Sequence, residues 1–203
     1  DAEFDRIRAL YAGECTLIDT WIGHLFEALT DLGLWDDTIV AFTTDHGTNM
    51  GERGHIRKRP WTLESQEARL PLIIRHPDSA TAGKRVNALL HAPDLAPTLL
   101  ALLDHEVPQT MTGSDFWPLV KGDEGELHEE IVTAFGPYAA LRNDEWLYTS
   151  RYAPPGEMGR AEVFPPRLAH TDAELEDVSA DHPEQASRMA DRLTELIGGR
   201  FET

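Results

Sequence analysis

Phe4, Ile7, Tyr11, Cys15, Ile18, Ile22, Leu25, Leu29 and Leu32 follow one another at steps of three and four, with charged and small residues between them. That spacing places all nine on one stripe and predicts an amphipathic helix over residues 3–32. Gly33 then stands where a left-handed backbone stops a helix. On this stripe Cys15 reads as a small buried thiol, because no His or cation beside it would stabilise a thiolate.

After Trp35-Asp36-Asp37 the period changes. Residues 38–43 (TIVAFT) are apolar at both parities, and residues 70–74 repeat the theme. Short β-branched runs of this kind predict strands covered on both faces, as in a parallel sheet, and a helix feeding such a strand predicts an α/β architecture. Residues 93–103 (PDLAPTLLALL) read as a second helix with Asp94 near its start. Turn-rich sequence after Leu103 crosses to a new unit. Residues 131–135, 139–142 and 146–152 are short strands separated by Gly-Pro and Asn-Asp, which predicts antiparallel hairpins. A Pro/Gly-containing loop spans 154–166, and residues 183–197 close the chain as an amphipathic helix with a proline in its first turn and Gly198-Gly199 at its end.

Composition narrows the function classes. The chain has 203 residues, 41% of them hydrophobic, which is enough for a core. No apolar run approaches the roughly 20 residues that a membrane-spanning helix needs. The start, DAEFDRIRAL, has neither the basic nor the apolar region of a signal peptide, and it opens inside a helical pattern, as expected of a chain that begins mid-protein. A formal charge of −18, spread as −8 over residues 1–120 and −10 over 121–203, argues against a nucleic-acid partner. One cysteine provides no internal disulfide and leaves the compartment open.

Against this acidic background, TTDHGTNMGERGHIRKRP (residues 43–60) is exceptional, since it carries Arg53, Arg57, Lys58 and Arg59 just after the dyad Asp45-His46. The dyad falls at the C-terminal edge of a predicted strand, where open α/β sheets place ligands. A carboxylate and an imidazole offer one oxygen and one nitrogen to a divalent metal, and Gly47 lets the backbone turn away. Two ligands do not complete a site, and an ordinary loop Asp beside a solvent-facing His fits the same pattern. The basic strip complements an anion whose oxygens face outward from such a metal. It fits equally a solvated loop whose charges offset Glu52, Glu64 and Glu67.

The stretches Leu17-Ile18-Asp19-Thr20-Trp21-Ile22-Gly23, Leu32-Gly33-Leu34-Trp35-Asp36-Asp37-Thr38, Phe42-Thr43-Thr44-Asp45-His46-Gly47 and Gly51-Glu52-Arg53-Gly54, with Lys58 beyond, resemble the sulfatase family of the alkaline-phosphatase superfamily. Pro71-Leu72-Ile73-Ile74-Arg75 and Asp94-Leu95-Ala96-Pro97-Thr98-Leu99-Leu100 match that family's PLIIR-type strand and DLxPTLL helix in the same order. The resemblance implies an α/β fold: residues 1–120 as the C-terminal portion of an alkaline-phosphatase-like sheet flanked by helices, and residues 121–203 as a small subdomain with a four-stranded antiparallel sheet and a helix. It also implies a metal-dependent sulfuric ester hydrolase, with Asp45 and His46 as metal ligands and Lys58 contacting the sulfate group. The implied ion is Ca²⁺, with Mg²⁺ or Mn²⁺ as alternatives.

Two departures qualify what carries over. Arg53 occupies the His of the family's GEHG, so substrate contact falls to Arg53 or to His55, which is also the candidate for protonating the leaving oxygen. The family's formylglycine, made from Cys in a C-x-P-x-R segment, has no counterpart, because Cys15 is followed by Thr16-Leu17-Ile18. The chain is therefore expected to be a C-terminal fragment, inactive alone, whose partner is the missing N-terminal part of the same protein and whose substrate is an anionic sulfate ester. The alternatives are a phosphate or phosphonate ester hydrolase of the same superfamily and a noncatalytic sulfatase-like binding module.

Overall fold

A computed structural model of the chain describes residues 2–59, 62–152 and 164–198. They form two compact units, one of residues 1–59 with 65–82, the other of residues 60–64 with 83–203.

In the first unit, α1 (Ala2–Asp31) realises the long apolar stripe as a single helix. It ends as its sequence dictates: Gly33 takes φ 68° and the Leu34 N–H bonds back to the Leu29 carbonyl at 2.9 Å. No residue of α1 is fully buried, and on the stripe Ile18 and Leu25 are each 55% exposed. Cys15 is exposed as well, which corrects its reading as a buried thiol. The period of a sequence records that a face is made to be covered; here Phe4, Ile7, Ile22 and Leu29 are half-buried, while Tyr11, Ile18, Leu25 and Leu32 stay exposed.

A short turn at Trp35–Asp37 leads into β1 (Val40–Thr43), which pairs antiparallel with β4 (Leu72–Arg75), Val40 opposite Arg75 and Thr43 opposite Leu72. The expected parallel pairing is thus not the one seen for these two strands. Apolar residues at both parities report that two faces are to be covered but carry no information on strand direction. Phe42 and Ile73 remain exposed. Arg75 closes the turn, its guanidinium 4.3 Å from the Trp35 ring centroid and its Nη1 donating to the carbonyls of Trp35 and Thr38 at 2.5 and 2.7 Å. Between β1 and β4 lie β2 (Asn49–Met50), β3 (Ile56–Arg57) and the one-turn α2 (Ser65–Ala68).

The second unit carries the core. Its α3 (Leu95–Leu102) is entered through a tight turn at Ala92–Asp94, and α4 (Trp117–Lys121) ends at Gly122, φ 112°. Asp94 is buried, and its carboxylate accepts the backbone N–H groups of His91 (2.6 Å) and Ser114 (2.8 Å) and pairs with His128 Nε2 at 2.8 Å. Gly113 has no room for a side chain, since a Cβ there would lie 2.1 Å from the Pro93 carbonyl oxygen.

Strands β5 (Ile131–Phe135), β6 (Tyr138–Arg142), β7 (Trp146–Arg151) and β8 (Arg167–His170) form an antiparallel sheet in that order. The period-2 alternation sends Ala139, Leu141, Trp146, Tyr148 and Leu168 to one face, where Met189 and Leu193 of α5 (Pro183–Leu196) complete a buried cluster. Tyr138, Ala140 and Leu147 face the other way and pack with Leu63. β8 has no counterpart in the strands read from hydrophobic pattern, while the four-stranded sheet and closing helix agree with the resemblance. Most of the loop expected over 154–166, and Gly199 beyond α5, lie outside the described residues. No helix among the described residues is long and apolar enough to cross a membrane.

Candidate active site

β1 delivers Thr43 directly into the loop that bears Asp45 and His46. The Asp45 carboxylate folds back to accept the His46 backbone N–H at 2.9 Å, and the Thr44 hydroxyl donates to the His46 carbonyl at 3.2 Å. This is the local hydrogen bonding that lets a short acidic side chain define a turn. His46 Nδ1 lies 2.8 Å from the Gly47 carbonyl oxygen, a contact that only a proton on Nδ1 satisfies. Nε2 lies 3.4 Å from Asp45 Oδ2, and the Asp45 side chain is 82% exposed. Desolvation works against ionisation of Asp45 but is outweighed by His46, the backbone N–H groups of His46 and Asp45, and the Thr44 hydroxyl, which together hold the carboxyl below its usual range. The dyad therefore presents an ionised oxygen donor and an imidazole nitrogen side by side and open to solvent. Among the described residues no group of three or more His, Cys, Asp or Glu side chains gathers to hold a metal ion.

Gly47 marks why the chain turns here. Its N–H donates to the Glu67 carbonyl at 2.9 Å, and a Cβ at this position would lie 2.0 Å from the Gln66 carbonyl oxygen. Only glycine permits that approach. The following hairpin pairs Asn49 with Arg57 and Met50 with Ile56, and the Gly51 N–H closes on the His55 carbonyl at 2.8 Å. Arg53 sits at its tip with φ 49°, exposed; His55 is half-buried, and its ring makes no hydrogen bond among the described residues. Arg57 is exposed with φ 71°, and Lys58 follows it, also exposed.

Each of the three acids that the sequence offers as neutralisers of this strip has a hydrogen-bond partner of its own. Glu52 accepts the Met50 N–H at 2.5 Å, and Glu64 is buried and bonded to Arg167 Nη1 at 2.7 Å. Glu67 is buried and accepts the side-chain amide of Asn49 and the backbone N–H of Arg59. Lys58 has no direct bond to Asp45 or His46 among the described residues; what connects the two segments is Glu67, through its main chain to Gly47 and its side chain to Arg59. Neither Asn49 nor Glu67 is legible as a site residue from the sequence, where Glu67 is one more acid near a basic strip.

Residues 1–105 match the sulfatase family. An ulvan-active sulfatase from Formosa agariphila is 31% identical over 149 residues, covering 68% of this chain and 29% of that protein. The solved structure of a phosphonate monoester hydrolase of Agrobacterium radiobacter superposes with a TM-score of 0.75 at 26% identity, over 94% of this chain and 40% of that one. A second structure, solved in complex with its substrate D-glucosamine-2-N,6-O-disulfate, superposes with a TM-score of 0.73 at 23% identity, over 88% of this chain and 38% of the other. The chain thus spans less than half the length of each of these relatives.

Proposed function

The chain belongs to the sulfatase family, and from that premise we propose that it forms the C-terminal portion of a metal-dependent sulfuric ester hydrolase, with Asp45 and His46 as part of the metal site and Lys58 contacting the sulfate. The single observation that supports this most is the geometry of the dyad: an exposed Asp45 carboxyl held below its usual range, with His46 Nε2 3.4 Å away and His46 Nδ1 engaged by the Gly47 carbonyl. That donor set fits half a divalent-cation site, with carboxylate oxygen suited to Ca²⁺, Mg²⁺ or Mn²⁺ and imidazole admitting a transition metal. A cation held there supplies Lewis-acid polarisation of a sulfate oxygen. The chain's own contribution is geometric and electrostatic: the Gly47 carbonyl orients His46, and Lys58 places a positive charge toward the transferring group. Arg53 and His55 are the candidate substrate contacts, His55 being the group to protonate the leaving oxygen.

In this reading the formylglycine nucleophile and the remaining ligands come from a part of the protein outside these 203 residues. Supporting it are exposed Ile18 and Leu25 on the apolar face of α1, exposed Phe42 and Ile73 on β1 and β4, and the fraction of each relative that the chain spans. The phosphonate monoester hydrolase among the neighbours favours one second reading, the same site acting on phosphate or phosphonate esters.

The isolated chain is expected to show no turnover of a chromogenic aryl sulfate with Ca²⁺, Mg²⁺ or Mn²⁺ and only weak calorimetric metal binding. Submicromolar affinity abolished by Asp45→Ala overturns the half-site. In the longer enzyme, Asp45→Ala lowers activity and excess metal partly restores it, whereas Lys58→Met lowers kcat by about 10²–10³ without rescue. Lys58→Met no more harmful than Arg59→Ala removes the anion contact. A longer protein inactive on aryl sulfate and matched phosphate and phosphonate esters is a binding module.

A further inference from the structure

A lysine side chain places its charge only as well as its main chain is fixed. The peptide groups on both sides of Lys58 are held by one pair of buried polar side chains. Asn49, 3% exposed, donates through Nδ2 to the Arg57 carbonyl at 3.3 Å and to Glu67 Oε1. The same Oε1 accepts the Arg59 N–H. The carbonyl before Lys58 and the amide after it therefore end on a single carboxylate–carboxamide unit.

Three features make this more than ordinary loop bonding. Glu67 is 7% exposed and makes no ion pair among the described residues, so a carboxylate has been buried to receive neutral N–H donors, an arrangement that survives only when those bonds are kept. Arg57 is in the left-handed region at φ 71°, which disfavours any residue with a Cβ, and Asn49 binds the carbonyl of that very residue. Glu67 also reaches the other half of the site, its own carbonyl accepting the Gly47 N–H at 2.9 Å, one residue beyond His46. One acidic residue thus fixes the backbone beside the dyad and beside Lys58.

We propose that Glu67 and Asn49 are the positioning residues for Lys58, setting its main chain against the Asp45-His46 segment; the catalytic part of this inference rests on the reading of Lys58 as the sulfate contact. Amide hydrogen exchange on the 203-residue chain tests the positioning directly. Glu67→Ala is expected to speed exchange at Arg59 by about tenfold or more while Leu141 and Leu147 amides in the antiparallel sheet keep their rates, and Glu67→Gln, which retains an acceptor oxygen, keeps most of the protection. Asn49→Ala provides a second variant that leaves the Glu67 carboxylate in place and frees Arg57. Unchanged Arg59 exchange in Glu67→Ala and Asn49→Ala overturns the proposal.

In the longer enzyme, Glu67→Ala is expected to lower kcat for an aryl sulfate about tenfold with a smaller change in KM, and to add nothing in a Lys58→Met background. Additive losses overturn an action through Lys58. A Lys58→Met enzyme with normal kcat instead overturns the sulfate-contact reading and with it the catalytic part of this inference, while Arg59 exchange still decides the positioning.

Discussion

The sheet of β5–β8 with α5 and the unit built on α1, β1 and β4 are written in comparable apolar patterns and reach opposite degrees of cover. In the first, Leu168 and Leu193 are fully buried and both faces of the sheet find partners. In the second, a thirty-residue amphipathic helix has no fully buried residue. The difference teaches that hydrophobic pattern specifies a face and not its partner, and that the well-covered region here is the one without the candidate chemistry. The Asp45-His46 dyad and the basic strip belong to the unit whose tight contacts are few and gathered around Gly47, Asn49 and Glu67.

The largest test of that contrast compares leucines. Leu193→Ala, in the cluster between α5 and the sheet, is expected to destabilise the isolated chain by about 2–5 kcal/mol, through lost burial plus a cavity. Leu25→Ala, on the exposed part of the α1 stripe, is expected to change urea stability by no more than about 0.5 kcal/mol. Equal losses would mean that the α1 face is covered in solution.

A smaller effect separates glycines within the first unit. Gly47→Ala forces a Cβ to within 2.0 Å of the Gln66 carbonyl and should cost about 1–3 kcal/mol, together with Arg59 amide protection. Gly23→Ala meets nothing within 4 Å and lies inside α1, so it should raise helicity by circular dichroism and stabilise by about 0.5–1 kcal/mol. If both substitutions are neutral, the Gly47 contact is not the fixed point that the site needs.

How far the sequence could be read follows the same division. Helix α1, its stop at Gly33 and the hairpins β5–β7 were legible because local period and turn residues decide them. The direction of β1 against β4 was not, since apolar runs at both parities do not encode pairing. Strand β8 was missed among prolines, where local signals favour a loop and only pairing with β7 makes a strand. Asp45, His46 and Lys58 stood out as residue types in an acidic chain. Glu67 did not, because its burial depends on Asn49 and Arg59, which lie 18 and 8 residues away.

Next in size is Arg57, where charge and backbone can be separated. Arg57→Gly and Arg57→Ala remove the same charge, but only glycine accepts φ 71° without a penalty, so the glycine variant should be the more stable by about 1 kcal/mol in urea unfolding of the isolated chain. In the longer enzyme proposed above, both should slow anion capture at low salt, with kcat/KM converging on the parent near 1 M salt, where the Debye length is about 3 Å. A salt-independent loss would instead place the Arg57 guanidinium in direct contact with substrate.

The smallest expected effect lies in the covered region and is read through pH. Partial burial pulls the Asp177 carboxyl up but is outweighed by the Ser179 hydroxyl (2.6 Å), the Ser179 N–H (3.0 Å), the Leu168 backbone and the charge of Arg167, leaving it below its ordinary value. A carboxyl depressed in the folded state contributes stability that is complete above its unfolded value, about 3.9, and is lost as pH falls through the lower folded value. Asp177→Asn should therefore be less stable than the parent at pH 7, and the two urea midpoints should approach each other as pH is lowered below about 4. Because Ser179 also receives the Leu168 N–H at 2.8 Å, Asp177 bears on the entry of β8, and the acid-dependent loss should appear first at the β7–β8 amides. A midpoint difference that is the same at pH 3 and pH 7 would show that the turn is held by shape rather than by the ionised carboxylate, and that the covered region gains nothing from the charge of Asp177.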